Sequence, residues 1–294
     1  MDIKEKLKSR QRYVEEKLSE YLPSESAYPE ILFRAMRYSV FAGGKRLRPI
    51  LLLEVNKLFD GDDEVVAPFA CALEMIHTYS LIHDDLPAMD DDNFRRGRLT
   101  SHKAFGEGMA ILAGDALLNH AFEVMSKATC KRDDKLGAEA MYAIAFGAGV
   151  NGMIAGQVVD ILSEGKNIDK NTMNYIHLNK TSALIQSAFR AGGILGGANE
   201  ETITLLNEAA VRIGMAFQIQ DDILDVTGTQ EELGKSVFSD SKNEKTTYIS
   251  LFGLEESNKM VEKLSREAIE ILESFGDRSK FLIEITKYLM NRKT

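Results

Sequence analysis

Apolar residues recur at the three- and four-residue spacing of amphipathic helices along almost the whole chain, and strand-like alternation is nearly absent. The pattern predicts helices over residues 3–22, 28–42, 49–59, 68–86, 108–126, 136–162, 171–195, 199–226 and 246–275, with a last one ending at Met290. Prolines are scarce, and Pro23, Pro49, Pro68 and Pro87 fall at predicted boundaries, where the missing N–H costs least. Several segments exceed the about 11–12 residues of an average helix. Long helices with short links, and no linker or fixed-period repeat between them, predict an all-α fold: a single large helical bundle over residues 1–294.

Glycines punctuate two of the apolar segments, at Gly147, Gly149, Gly152 and Gly156 and again at Gly192, Gly193, Gly196 and Gly197. No strand precedes the second group, so close helix packing is favoured over a phosphate-cradling loop. The apolar fraction of 44% suits a globular core. A net charge of −9 argues against a nucleic-acid partner. Cys71 and Cys130 make neither a disulfide framework nor a zinc spacing. The charged N-terminus lacks a signal-like stretch, and no run approaches the roughly 20 apolar residues of a membrane span. A cytoplasmic protein is expected.

Within this apolar background stand two acidic boxes, His83-Asp84-Asp85-Leu86-Pro87-Ala88-Met89-Asp90-Asp91-Asp92 and Gln220-Asp221-Asp222-Ile223-Leu224-Asp225. Clustered carboxylates beside apolar segments are costly unless cations compensate them. Their oxygens suit Mg²⁺, which binds through one or two carboxylates plus substrate phosphates. On a helix Asp221 and Asp225 lie about 40° apart and share a face, with Gln218 one turn before Asp221. Asp84 and Asp90 lie about 240° apart on an ideal helix, the wrong side for joint ligation. Pro87 resolves this by breaking the helical ladder so that Asp90 can swing back.

Basic clusters complement the boxes. Arg95 and Arg96 follow the first box, and guanidinium forks match phosphate oxygens. Gly43-Gly44-Lys45-Arg46-Leu47-Arg48-Pro49 precedes a helix, whose N-terminal N–H groups also favour anions. Two acidic boxes and two basic clusters suggest two diphosphate pockets, one metal-dependent and one held by Lys and Arg. His77 shares a face with Asp84 to within about 20°. Lys180, followed by Thr181 inside a long helix, is either a snorkelling surface residue or a buried cation facing ligand phosphate.

At these residues the chain resembles the trans-polyprenyl diphosphate synthases, particularly their bacterial farnesyl diphosphate members. The likeness runs from Ala35-Met36-Arg37-Tyr38-Ser39 through Gly43–Pro49, Met75–Asp85 and Arg95-Arg96-Gly97 to Lys180-Thr181 and Phe217–Asp222. The resemblance implies an all-α bundle of the isoprenoid synthase type around a central cavity, paired as a homodimer. It implies that Asp84, Asp85 and Asp90, facing Asp221, Asp222 and Asp225, hold a group of three Mg²⁺ on an allylic diphosphate. Arg95, Lys180, Lys235 and Lys245 would contact that diphosphate. Gly44, Lys45, Arg48, His77 and Arg96 would form the site for isopentenyl diphosphate. Ionisation of the allylic C–O bond gives a carbocation, which Thr181 and Gln218 would stabilise through oxygen dipoles. The isopentenyl double bond then attacks, and a proton passes to the released diphosphate.

Tyr79, about 7.5 Å deeper along its helix than Asp84, and the adjacent Ser80 resemble the floor that sets chain length, here for a C15 farnesyl product rather than C20 or C10. Phe238 and Ile249 depart from the family, which commonly has Gly and Pro there. Three rival readings are weaker. A His83-Asp84 phosphohydrolase needs further His ligands, and His102, His120 and His177 form no matching cluster in the sequence. A non-catalytic prenyl synthase subunit often loses one box, and a terpene cyclase needs no second basic pocket.

Overall fold

A computed structural model describes residues 2–227 and 246–290 of the chain. Its helices are α1 (Ile3–Tyr21), α2 (Glu30–Val40), α3 (Leu47–Lys57), α4 (Asp63–Asp84), α5 (Ser101–Phe105), α6 (Glu107–Thr129), α7 (Leu136–Ala148), α8 (Met153–Ser163) and α9 (Lys170–Ile176). A π-helical turn, His177–Ser182, joins α9 to α10 (Ala183–Leu195), and α11 (Glu200–Thr227), α12 (Tyr248–Glu273) and α13 (Lys280–Met290) follow. Among the described residues the strands are one short antiparallel hairpin, β1 (Phe94–Arg95) with β2 (Arg98–Leu99). The fold is all-α, as the periodicity predicts.

α3 is buried from Leu47 to Asn56 but for Arg48, with even Glu54 and Asn56 out of solvent, so it serves as an inner helix. It packs against α4 and α10, while α10 also meets α7 and α11. Gly192 shows how tightly: a Cβ there would stand 2.6 Å from the Leu52 carbonyl oxygen, so the glycine run serves helix packing. The α4–α6 seam is equally close, with Ala110, Ala113, Leu117 and Ala121 fully buried. Buried charge here is paired: the guanidinium of Arg46 meets the carboxylate of Glu74 at 2.9 Å.

Four expectations need correction. α4 begins at Asp63, one turn before Pro68, because Asp62 caps it by accepting from the Glu64 N–H at 2.9 Å. The helix expected over 136–162 is divided at residues 149–152, and that over 171–195 is interrupted by the π-turn. Finally, two stretches are long and apolar enough to cross a membrane, Asp63–Asp84 and Leu136–Ser163, where none was expected. The first owes its composition to the core, since 72% of its apolar window is buried. The second is 33% buried and leaves Tyr142, Phe146, Val150, Ile154, Val158 and Leu162 exposed at every fourth position.

Candidate active site

α4 delivers the first acidic box to the end of the bundle. The helix ends at Asp84, and Pro87 lies in the turn that follows. There the Asp90 N–H donates to the Asp84 carbonyl at 2.9 Å, which folds Asp90 back as the proline break predicts. Burial pushes the Asp84 carboxyl up to about 6, Lys180 pulls against this, and Asp90 pushes it further. Lys180, on the π-turn, is therefore in electrostatic reach of the first box. Asp85 is buried, and its Oδ1 accepts from Arg95 Nε at 2.7 Å and pairs with Nη2 at 2.6 Å. The hairpin sets that geometry, with Arg96 and Gly97 at φ 53° and 75° forming its two-residue turn.

The second box lies on unbroken α11. Asp222 is buried, and its two oxygens are engaged. Oδ1 accepts from Gln218 Nε2 at 3.2 Å, and Oδ2 accepts from the Tyr248 backbone N–H at 2.8 Å, with His177 Nε2 3.7 Å away. Burial pushes this carboxyl up to about 6 and holds His177 down to about 4. Asp225 is also buried, while Asp221 is half-buried and charge-coupled to Arg48 and His177.

Between the boxes runs the π-turn, a local widening of the helix that recurs at functional sites. It is gripped from two sides. A Cβ on Gly156 of α8 would stand 2.1 Å from the Lys180 backbone N, and one on Gly214 of α11 would stand 2.2 Å from Ser182 Oγ. Held there, Lys180 Nζ donates to Asp160 Oδ2 at 2.6 Å, and Thr181 Oγ1 donates to Gln218 Oε1 at 2.8 Å. Lys180 is thus a partly buried cation beside the boxes, and the sequence alternative of a snorkelling surface lysine falls away. Asp160, Lys180, Thr181, Gln218, Asp222 and His177 all line one cavity of about 120 Å³.

A basic pocket adjoins the first box. Gly43 and Gly44, at φ 101° and 125°, and Arg46, at φ 50°, form a left-handed turn before α3. A side chain on Gly44 would strike the Arg96 guanidinium, which donates to the Gly43 carbonyl. Burial and then the charges of Arg48, Arg96, Arg95 and Arg46 hold His77 far below the ordinary histidine range. Arg48 Nε is buried without a hydrogen-bond partner among the described residues. Neutral histidine amid guanidinium groups with an unused donor suits an anion. Lys45 stands exposed at the turn's edge.

Tyr79 is packed in the core edge-to-face with His83, and burial and then the Asp84 charge push its phenol up to about 12. The Ser80 hydroxyl donates within its own helix to the His77 carbonyl. His83 Nε2 lies 3.2 Å from the Ile111 carbonyl on α6, turned away from Asp84, which removes the phosphohydrolase dyad. His102 and His120 bond elsewhere, to Thr100 and to Tyr21 and Glu123. Lys235, Lys245 and Phe238 lie outside the described residues, and Ile249 packs half-buried against the core. Among the described residues no three His, Cys, Asp or Glu side chains converge as a ready-made metal cage. Mg²⁺ asks for less, one or two carboxylates with phosphate oxygens and water completing its shell. The sequence pattern did not point to Asp160, and it offered His177 only as a rejected metal-cluster member. The signal for Asp160 was its place four residues after Gly156, on the face that meets the π-turn.

An all-α bundle whose two acidic boxes both neighbour one π-turn, with an arginine-rich pocket adjoining the first, is suited to a polyanion held by cations. The polyprenyl synthetase family model matches residues 29–285, and the chain belongs to that family. Its chemistry is that of a trans-prenyl diphosphate synthase, a prenyltransferase acting on isoprenyl diphosphates. The chain is 45% identical to a geranylgeranyl diphosphate synthase of Cyanophora paradoxa, covering 97% of this chain and 95% of that one. It is also 45% identical to a farnesyl diphosphate synthase of Geobacillus stearothermophilus, covering 86% of each. Among solved structures, an apo FPP/GFPP synthase from Zymomonas mobilis superposes with a TM-score of 0.88 at 36% identity, covering 98% of both chains. A geranyltransferase from Helicobacter pylori, complexed with magnesium and isoprenyl diphosphate, superposes at 0.85 and 30% identity, covering 99% of this chain and 97% of that one.

Proposed function

We propose that the enzyme condenses isopentenyl diphosphate with dimethylallyl and then geranyl diphosphate to give farnesyl diphosphate. The observation that carries this reading is the π-turn. Lys180 on it is charge-coupled to Asp84 of the first box, and Thr181 bonds to Gln218, one turn before Asp222 of the second. A diphosphate between the boxes would meet carboxylates on two sides and Lys180 and Arg95 on the others.

Clustered carboxylates, one of them (Asp84) pushed up by burial, are a donor set that a divalent cation relieves of its desolvation cost, so Asp84, Asp90, Asp221 and Asp225 fit Mg²⁺. The magnesium-bound Helicobacter pylori neighbour supports that choice, and three ions remain the number we propose. When bound, Mg²⁺ would draw charge off the leaving diphosphate. Lys180 and Arg95 would add fixed positive charge where that leaving group develops. Thr181 and Gln218 would turn oxygen dipoles toward the allylic cation, and the apolar lining would keep water from it. Gly44, Lys45, Arg48, His77 and Arg96 would hold isopentenyl diphosphate with its double bond toward that cation.

Tyr79 supports the C15 product: it is a buried ring one to two turns below Asp84 and within reach of its charge. Incubation with labelled isopentenyl diphosphate, dimethylallyl diphosphate and Mg²⁺ should yield a dominant C15 alcohol after dephosphorylation. A C20 alcohol would reject Tyr79 as the floor, and no condensation would reject the whole reading. The homodimer implied by the family would bury the apolar stripe from Tyr142 to Leu162 against a second copy. Sedimentation equilibrium returning the mass of one chain at micromolar concentration would end that assignment.

A further inference from the structure

The two aspartates that open the second box are not equivalent. Asp222 uses both oxygens inside the protein, on Gln218 Nε2 at 3.2 Å and on the Tyr248 N–H at 2.8 Å. A carboxylate only accepts, so the Gln218 amide must turn its NH₂ toward Asp222 and its carbonyl toward Thr181. That carbonyl accepts the Thr181 hydroxyl proton at 2.8 Å. With its proton so committed, the Thr181 oxygen offers only lone pairs to the cavity that it lines. The relay continues to Tyr248, the first residue of α12, whose ring stacks on His177 of the π-turn at 6.2 Å and 25°. The first box repeats the division, since Asp85 is buried and bound by Arg95 through two nitrogens.

We propose that Asp222 is a positioning residue and not a magnesium ligand: it fixes the Gln218 amide, aims the Thr181 lone pairs at the developing cation, and ties both to the first turn of α12. This rests on the metal reading of Asp84, Asp90, Asp221 and Asp225. If Asp222 turned to bind an ion, the Tyr248 N–H would lose its acceptor and Gln218 would be free to flip, so the assignment has a signature in the native chain.

The first test is amide exchange at Tyr248 in the wild-type protein, with Mg²⁺ and inorganic pyrophosphate added. Protection at Tyr248 should hold or rise. Faster exchange there on addition would overturn the proposal. The second test compares Asp221→Asn with Asp222→Asn by the Mg²⁺ concentration that half-maximally raises the melting temperature in pyrophosphate. Asp221→Asn should raise that concentration about tenfold or more, and Asp222→Asn should leave it within about twofold. Asp222→Asn should still lower kcat about 10- to 100-fold with KM for the allylic diphosphate little changed, and Gln218→Met should show the same loss without adding to it. Equal Mg²⁺ shifts in the two Asn variants would sink the positioning role while leaving the metal site standing. No stabilisation of the wild type by Mg²⁺ and pyrophosphate would sink both. Failure of Asp222→Asn to fold leaves the exchange measurement on the native chain to decide.

Discussion

The two acidic boxes reach similar chemistry by opposite construction. The first sits where α4 stops, and its carboxylates are gathered by a turn after Pro87 and by the arginines of a two-residue-turn hairpin. The second rides on α11 without interruption, and its neighbours are brought to it by steric fit, with Gly156 and Gly214 letting the π-turn close on either side. The first is held by charge and the second by packing. In the proposed reaction, a cavity that takes up a polyanion and keeps water from a carbocation has use for both: an electrostatic rim that neutralises, and a rigid wall that does not shift.

The sharpest way to break this comparison is to remove one of the proposed metal-facing carboxylates from each side. Asp84→Ala and Asp221→Ala should each lower turnover about a thousandfold while the melting temperature without Mg²⁺ changes little. Near-normal turnover in either variant would show that its box is not part of the metal clamp.

A smaller effect tests the packed wall alone. Gly156→Ala adds a methyl where the Lys180 backbone N would be 2.1 Å away and its Cα 2.6 Å away. Neither helix can yield without displacing the π-turn. Overpacking of this kind costs about 1–3 kcal/mol, and a shift near 1 Å in positioning groups costs about a hundredfold in rate. Gly108→Ala, on the first-box side, meets nothing within 4 Å and should be neutral by comparison. Equal turnover in the two glycine variants would remove the steric account of the second box.

The same contrast explains what could be read from the chain itself. Helices were legible because the 3.6-residue apolar period is local, and the acidic and basic clusters were legible because their spacing is. The π-turn was not, since it depends on glycines in two other helices that let 177–182 be approached from both sides. Nor was the division of labour within each box. Asp84 and Asp85 are chemically identical in sequence, and only the return of Arg95 across the hairpin separates them. Asp222 is set apart from Asp221 by a backbone N–H that arrives 26 residues later. The apparent helix over 136–162 misled for a related reason, because a run of exposed apolar residues keeps the helical period through a break at 149–152.

The finest test addresses the charge-built side. His77 is held neutral by burial and by Arg48, Arg96, Arg95 and Arg46 around it. Its folded pKa lies below the unfolded value of about 6.5, so the unfolded chain binds more protons as pH falls past that value. Its contribution to stability is therefore complete above about pH 6.5 and is lost as pH drops toward the folded pKa. His177, held down to about 4, acts with the same sign, so the wild-type slope alone does not isolate either. The difference between wild type and His77→Gln does. The glutamine variant should show a flatter rise of unfolding free energy between about pH 5 and 7, by no more than about 1.4 kcal/mol per pH unit. Inorganic pyrophosphate seated among these arginines would offset their repulsion of a proton and raise the His77 pKa, so it should flatten the wild-type slope and leave the variant's unchanged. If pyrophosphate changes both slopes alike, the anion sits elsewhere, and the basic pocket beside the first box has no claim to the second diphosphate.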